Sequence, residues 1–94
     1  MICGEILFSD HAIGQMFKRN ISVDDVKLVM NSGEIIATYL LDKPYPSYLM
    51  LGYIVKRPLH VVVAKNDDIS RCTVVTAYEP DEAIWAYGFK SKIK

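Results

Sequence analysis

Two amphipathic segments stand back to back near the start of the chain, and the one or two residues between them leave little freedom in how they pack. Ser9 precedes Asp10 in the position of an N-cap with acidic support in the first helical turn. From there to Asn20 the apolar residues are Ala12, Ile13, Met16 and Phe17, the i, i+1, i+4, i+5 spacing of one helix face. His11, Gln15, Lys18 and Arg19 share the opposite side, within an arc of roughly 80–100°. A second helix begins at once: Ser22-Val-Asp-Asp25 approaches a capping box, Val26, Val29 and Met30 form its stripe, and Gly33 stops it. Helices this short are marginal alone, so both stripes need a shared surface to cover.

The rest of the chain supplies a sheet. Residues 34–41 are rich in β-branched and aromatic side chains, until Asp42-Lys-Pro-Tyr-Pro46 breaks the pattern, because proline donates nothing to a ladder. Residues 48–55 read as a second strand, Lys56-Arg57-Pro58 as a tight turn, and residues 59–65 as a third strand. That third strand is apolar on both parities, as a central strand should be. Asn66-Asp67-Asp68 turns the chain into a fourth strand from 69 or 71 to 78. Short turns between the last three strands predict an antiparallel meander. Asp81 is placed to cap a short C-terminal helical turn containing Ala83, Ile84 and Trp85, and the basic stretch 90–94 should fray. The expected fold is therefore α+β, with two N-terminal helices on one face of a three- to four-stranded antiparallel sheet, in a single domain over 1–94.

Composition narrows the class. Lys and Arg number 11 and so do Asp and Glu, a net charge of zero that argues against a general polyanion binder. No run of about 18 uncharged apolar residues is present, so no membrane span is expected. The start Met1-Ile-Cys-Gly-Glu5 lacks the basic and apolar segments of a signal peptide, which points to the cytoplasm. Cys3 and Cys72 have no C-x-x-C partner; one disulfide between them is open, but two reduced, semi-buried thiols are the expected state.

Two histidines could carry acid–base chemistry. His11 lies in the first turn of the first helix, where the helix dipole disfavours its cation. His60 lies early in the central strand, on the parity of Val62 and Ala64 and opposite Leu59, Val61 and Val63; that parity is the expected open face of the sheet. Either can act near neutral pH. The plainer readings are a hydrogen-bonded core histidine and a solvated first-turn residue. Lys18 and Arg19 share the His11 face, Lys56 and Arg57 precede His60, and positive side chains beside a histidine suit a phosphodiester. Tyr78, at the end of the fourth strand, can stack on a base or donate a proton. No glycine fingerprint, G-x-S-x-G elbow or metal-binding cluster of acids occurs, so neither cofactor nor metal is expected.

These residues fall within motifs that resemble a bacterial family known as a domain of unknown function: Ser9-Asp-His-Ala12, Arg19-Asn-Ile-Ser22, Ser32-Gly-Glu-Ile35, Pro44-Tyr-Pro46, Pro58-Leu-His-Val-Val62 and Thr76-Ala-Tyr-Glu-Pro80, with Trp85 beyond. The family is similar to the RelE-like and colicin/barnase-like ribonuclease toxins. The resemblance implies a RelE-like fold and a toxin that cuts RNA, free or on the ribosome. It also implies a partner antitoxin carrying a zinc-finger or helix-turn-helix domain. Gln15 stands where the family has arginine, and Asn20 where it has glycine, a change that a left-handed position tolerates.

The expected chemistry is metal-free attack of a ribose 2′-hydroxyl on its phosphate. His60 serves as acid or base, His11 or Tyr78 as its counterpart, and Lys18, Arg19 and Arg57 neutralise the phosphate. The competing reading is a non-catalytic protein-binding module, or a degenerate toxin, that uses the open sheet face; zero net charge, Gln15 and the many tyrosines suit it.

Overall fold

Capping sets where both helices begin. In the computed structural model, which describes residues 1–93, α1 spans Asp10–Arg19 and the Ser9 hydroxyl accepts from the Ala12 N–H at 3.0 Å. Asn20 closes it in a left-handed conformation, φ 55°. α2 spans Val23–Ser32 and opens on a complete capping box, in which Ser22 Oγ accepts from Asp25 N–H and Asp25 accepts from Ser22 N–H. The strands are β1 (Glu5–Phe8), β2 (Glu34–Tyr39), β3 (Ser47–Ile54), β4 (Arg57–Asn66) and β5 (Arg71–Tyr78).

The helix-over-sheet layout holds, but the expected sheet of three to four antiparallel strands is corrected. There are five strands in the order β1-β5-β4-β3-β2, and the sheet is mixed. β2 to β5 form the antiparallel meander, while β1 lies parallel to β5, from Glu5 opposite Arg71 to Phe8 opposite Val74. Only four residues long, β1 pairs with a strand at the far end of the sequence, so no turn signal announces it.

That parallel pairing also overturns the expectation of two free thiols. It brings Cys3 within 5.7 Å (Cα–Cα) of Cys72, and the two form a disulfide across a separation of 69 residues.

One face of the sheet carries the core. Ala12 and Met16 of α1 and Val26, Val29 and Met30 of α2 pack with Met50, Leu59, Val61, Val63, Cys72, Val74 and Ala77. Strict alternation would not place Val74 and Ala77 together. A bulge does so: Val63 pairs with Val74 and Val62 with Thr76, which makes Val75 the extra residue. α1 docks at this irregularity, with the Ser9 N–H donating to the Val74 carbonyl at 3.0 Å and the Ser9 hydroxyl to the Val75 carbonyl at 2.9 Å. The buried stripe of α1 is narrower than its apolar spacing implied. Ile13 is 55% exposed and Phe17 89%.

The C-terminal segment carries the expected short helical turn and corrects the expectation of a frayed tail. Asp81 does support a turn: its carbonyl accepts from Ile84 and Trp85 N–H, both at 2.9 Å, and its carboxylate from Ala83 N–H at 2.8 Å. The turn does not continue into a helix. Instead the chain doubles back as a narrow ribbon, with Trp85 opposite Lys92, Ala86 N–H on the Ser91 carbonyl and Ile93 N–H on the Ile84 carbonyl. Far from fraying, the stretch as far as Ile93 is paired, and the Lys90 ammonium reaches Glu34 at 2.9 Å. Lys94 lies outside the described residues.

Two glycines separate close packing from propensity. A Cβ at Gly33 would strike the Val29 carbonyl and stand 2.7 Å from the Leu51 carbonyl, both rigid backbone, whereas a Cβ at Gly14 meets nothing. Gly33→Ala should therefore lower stability by about 1–3 kcal/mol. Gly14→Ala, in the middle of α1, should raise it by about 0.5–1 kcal/mol. Urea denaturation of the two variants beside wild type checks both signs.

Candidate functional site

β4 and β5 present alternate residues to the face away from the helices, and the meander register sets two of the expected site residues side by side. His60 pairs directly with Tyr78 across the strands. The His60 Nδ1 lies 3.1 Å from the Tyr78 hydroxyl, and its Nε2 lies 2.8 Å from the Phe89 carbonyl. Trp85 meets the imidazole edge-on, ring centroids 4.5 Å apart, and Tyr78 does so at 5.2 Å. The face is thus the one expected from strand parity, but at His60 it is not open. The C-terminal ribbon covers it and leaves the histidine 0% exposed.

The partners determine the tautomer. A backbone carbonyl can only accept, so Nε2 carries the proton and donates to Phe89. Nδ1 is then the bare nitrogen and accepts from the Tyr78 hydroxyl. Burial pushes the His60 pKa below its usual 6.5, an effect partly offset by the Phe89 carbonyl, so the ring stays neutral at physiological pH. Burial also pushes the Tyr78 hydroxyl above its usual 10, so the phenol keeps its proton.

The other expected site residues are not gathered here. His11 is exposed in the first turn of α1, on the helix side of the sheet, while His60 faces the opposite side. One phosphate cannot touch both. His11 and Arg19 are also separated along α1, by about 12 Å for eight residues at 1.5 Å each. Arg19 is exposed at the C-terminal end of α1, where its Nε donates to Gln15 at 3.2 Å, and Lys18 beside it is exposed too.

Arg57 is committed to the fold. Its guanidinium donates to the Arg19 carbonyl at 2.6 Å and the Asn20 carbonyl at 3.0 Å and pairs with Glu79 at 3.5 Å. It neutralises the C-terminal end of α1 rather than standing free for a phosphate.

Next to the His60 cover lies a groove of about 570 Å³ lined by Arg19, Lys56, Pro58, Glu79, Asp81 and Phe89, among others. Its charges are mixed. Among the described residues no three His, Cys, Asp or Glu side chains come together as a metal site.

Two contributors to the His60 environment were not expected from the sequence. Trp85 follows the Thr76–Pro80 stretch in the sequence, but nothing in its spacing assigns it a contact with His60. The Phe89 carbonyl is a backbone group and leaves no trace in the residue pattern.

A histidine buried neutral makes stability depend on pH. Its folded pKa lies below the unfolded 6.5, so the unfolded chain binds the proton more readily. The stabilisation from neutral His60 is fully present above 6.5 and is lost as pH falls through the lower, folded value. The melting temperature should fall between pH 7.5 and 5.5, above the range where most carboxylates titrate. It should fall less in His60→Leu. Circular dichroism melts of both proteins across that range test this, and parallel curves would count against a titrating His60.

The model of a family described as Domain of unknown function (DUF4258) matches residues 8–79, from the end of β1 to just past the end of β5. No curated protein and no solved structure matches the chain. The match covers most of the sequence, and the chain belongs to the DUF4258 family.

Proposed function

We propose that this protein is a metal-independent endoribonuclease, the toxin of a bacterial toxin–antitoxin pair, working through His60 and Tyr78. The observation that carries the reading is the 3.1 Å approach of these two titratable groups on the sheet face away from the helices. The motif resemblance to ribonuclease toxins supports it. Phe89 occupies the ring nitrogen that would meet substrate, so the reaction requires that carbonyl to withdraw.

The tyrosine hydroxyl can donate or accept, so it supports either histidine tautomer. With the proton on Nδ1, Nε2 takes the proton of a ribose 2′-hydroxyl as its oxygen attacks the adjacent phosphorus. The Nδ1 proton passes to the Tyr78 oxygen, and the phenol proton passes to the departing 5′-oxygen. The products are a 2′,3′-cyclic phosphate and a free 5′-hydroxyl, and His60 is left neutral with its proton on Nε2. Arg19 and Lys18 supply the positive charge for the phosphorane, since Arg57 is held by two carbonyls and Glu79. The partner is an antitoxin with a zinc-finger or helix-turn-helix domain. The site of action is the cytoplasm, where reductants open bridges such as Cys3–Cys72; assays with and without reductant belong in the test.

A second reading is a protein-binding module without catalysis. It is favoured by the complete burial of His60 and by the 89% exposure of Phe17 on α1.

Induced expression in a bacterial host, scored for growth and RNA integrity, separates the two. Wild type should arrest growth and leave cut RNA with cyclic phosphate ends. Tyr78→Phe keeps the ring and removes the hydroxyl, and should slow cleavage by about 10²-fold or more. Arg19→Ala should weaken RNA binding with little change in fold. Healthy growth with soluble, folded protein and intact RNA would overturn the nuclease and leave the binding module.

A further inference from the structure

The family match ends at residue 79, and the ribbon that seals His60 lies beyond it. Its internal order is its own. The turn at Asp81, the bonds Ala86–Ser91 and Ile93–Ile84, and the turn closed by Phe89 N–H on the Ala86 carbonyl at 2.9 Å all lie within it. Lys92 rests 5.9 Å from the Trp85 ring centre. Such a unit can lift without unravelling.

Its attachments to the sheet are few. Among the described residues its polar attachments are one hydrogen bond, from His60 Nε2 to the Phe89 carbonyl, and one exposed ion pair, Lys90–Glu34, to which the edge contact of Trp85 on the imidazole adds packing. Pro80, buried, stands at the base. Phe89, which supplies the sealing carbonyl, is held at φ 60°, a left-handed conformation that side chains other than glycine rarely adopt. Gly88 precedes it at φ 88°. The contact that shuts the site is therefore made at a strained position on a thinly anchored element, the kind of element that opens first in a native protein.

We infer that residues 80–93 are a hinged, autoinhibitory flap whose closure on His60 keeps an RNA phosphodiester from reaching the His60–Tyr78 pair. This rests on the nuclease reading for its purpose, but not for its existence. Closed, the flap occupies the nitrogen that would meet substrate; open, it frees Nε2 and uncovers the side of the ring now filled by Trp85. The Arg19 and Lys56 side of the groove, which Phe89 walls off in the closed state, then runs into the exposed site.

The two histidines permit a direct test in the full-length protein. Diethyl pyrocarbonate acylates unprotonated imidazole, and peptide mass spectrometry reads His11 and His60 separately. In wild type at pH 7.5, exposed His11 should react at least about tenfold faster than His60. Lys90→Glu replaces the ion pair with repulsion at Glu34 and should raise the His60 rate about three- to fivefold, leaving His11 unchanged. Adding Glu34→Lys to that variant restores an opposite pair and should return the rate towards wild type. Trp85→Ala should raise it about tenfold or more; if that variant does not fold, the charge swap carries the test.

Equal reactivity of the two histidines in folded wild type would overturn the flap. So would a His60 rate unmoved in folded Lys90→Glu. RNA cleavage measured on the same samples separates the two ideas. Cleavage rising with His60 reactivity supports both, whereas reactivity rising with no cleavage keeps the flap and removes the nuclease.

Discussion

β4 is buried along its helix-facing side and, at His60, on the opposite side as well, and the rest of the molecule is arranged around that double burial. Towards the helices it presents Leu59, Val61 and Val63, each 0% exposed, and away from them His60, also 0% exposed. A strand apolar on one side needs only one covering layer. This one needs two, and the second is the C-terminal ribbon. An imidazole without partners would be costly at such a position, since each unsatisfied buried polar atom forfeits its hydration. The Phe89 carbonyl and the Tyr78 hydroxyl supply both partners, and among the described residues no buried side-chain nitrogen or oxygen is left unpaired. His60 thus serves as the polar rivet between sheet and ribbon, whatever chemistry it also performs.

The same geometry divides the basic residues by role. The three grouped as phosphate ligands from their positions in the chain sit close to one another at one end of α1, yet their environments differ. Arg57 reaches across from the start of β4 to the last carbonyls of α1, which carry the negative end of the helix dipole. A fork of donors on two carbonyls, with Glu79 behind it, is a structural use of arginine. Lys18 and Arg19 remain on the surface. The Arg19 Nε donates to the Gln15 side chain, so Gln15 orients a neighbouring cation.

Local signals account for much of the legible part. Ser9 and Ser22 mark both helix starts because N-capping is a contact between residues three apart. The breaks at Asp42–Pro46 and Asn66–Asp68 mark the meander because hairpin connections are local too, whereas the expected Lys56–Pro58 turn falls at Val55–Lys56, with Arg57 and Pro58 already paired in β4. The parity of β4 puts His60 on the face away from the helices, but its pairing with Tyr78 depends on the Val75 bulge, since the register of the turn alone would set Ala77 opposite His60. What stayed hidden is non-local. β1, the Cys3–Cys72 bridge and the Phe89 carbonyl each join segments far apart in the chain, with no spacing rule to connect them. The exposure of Ile13 and Phe17 belongs with these, because helical periodicity shows that a stripe exists but not how much of it the sheet can cover.

By itself the sequence determined two capped helices, an antiparallel meander and the sheet face on which His60 would lie, since each depends on the period of side chains along one element or the chemistry of one turn. Only the tertiary structure decided whether that face is open. Parity says which way a side chain points, whereas burial depends on what returns to cover it, and here that is the ribbon that follows β5. The covering set the tautomer of His60 and turned an expected open site into a closed one, while the packing of α1 left His11 on the far side of the sheet.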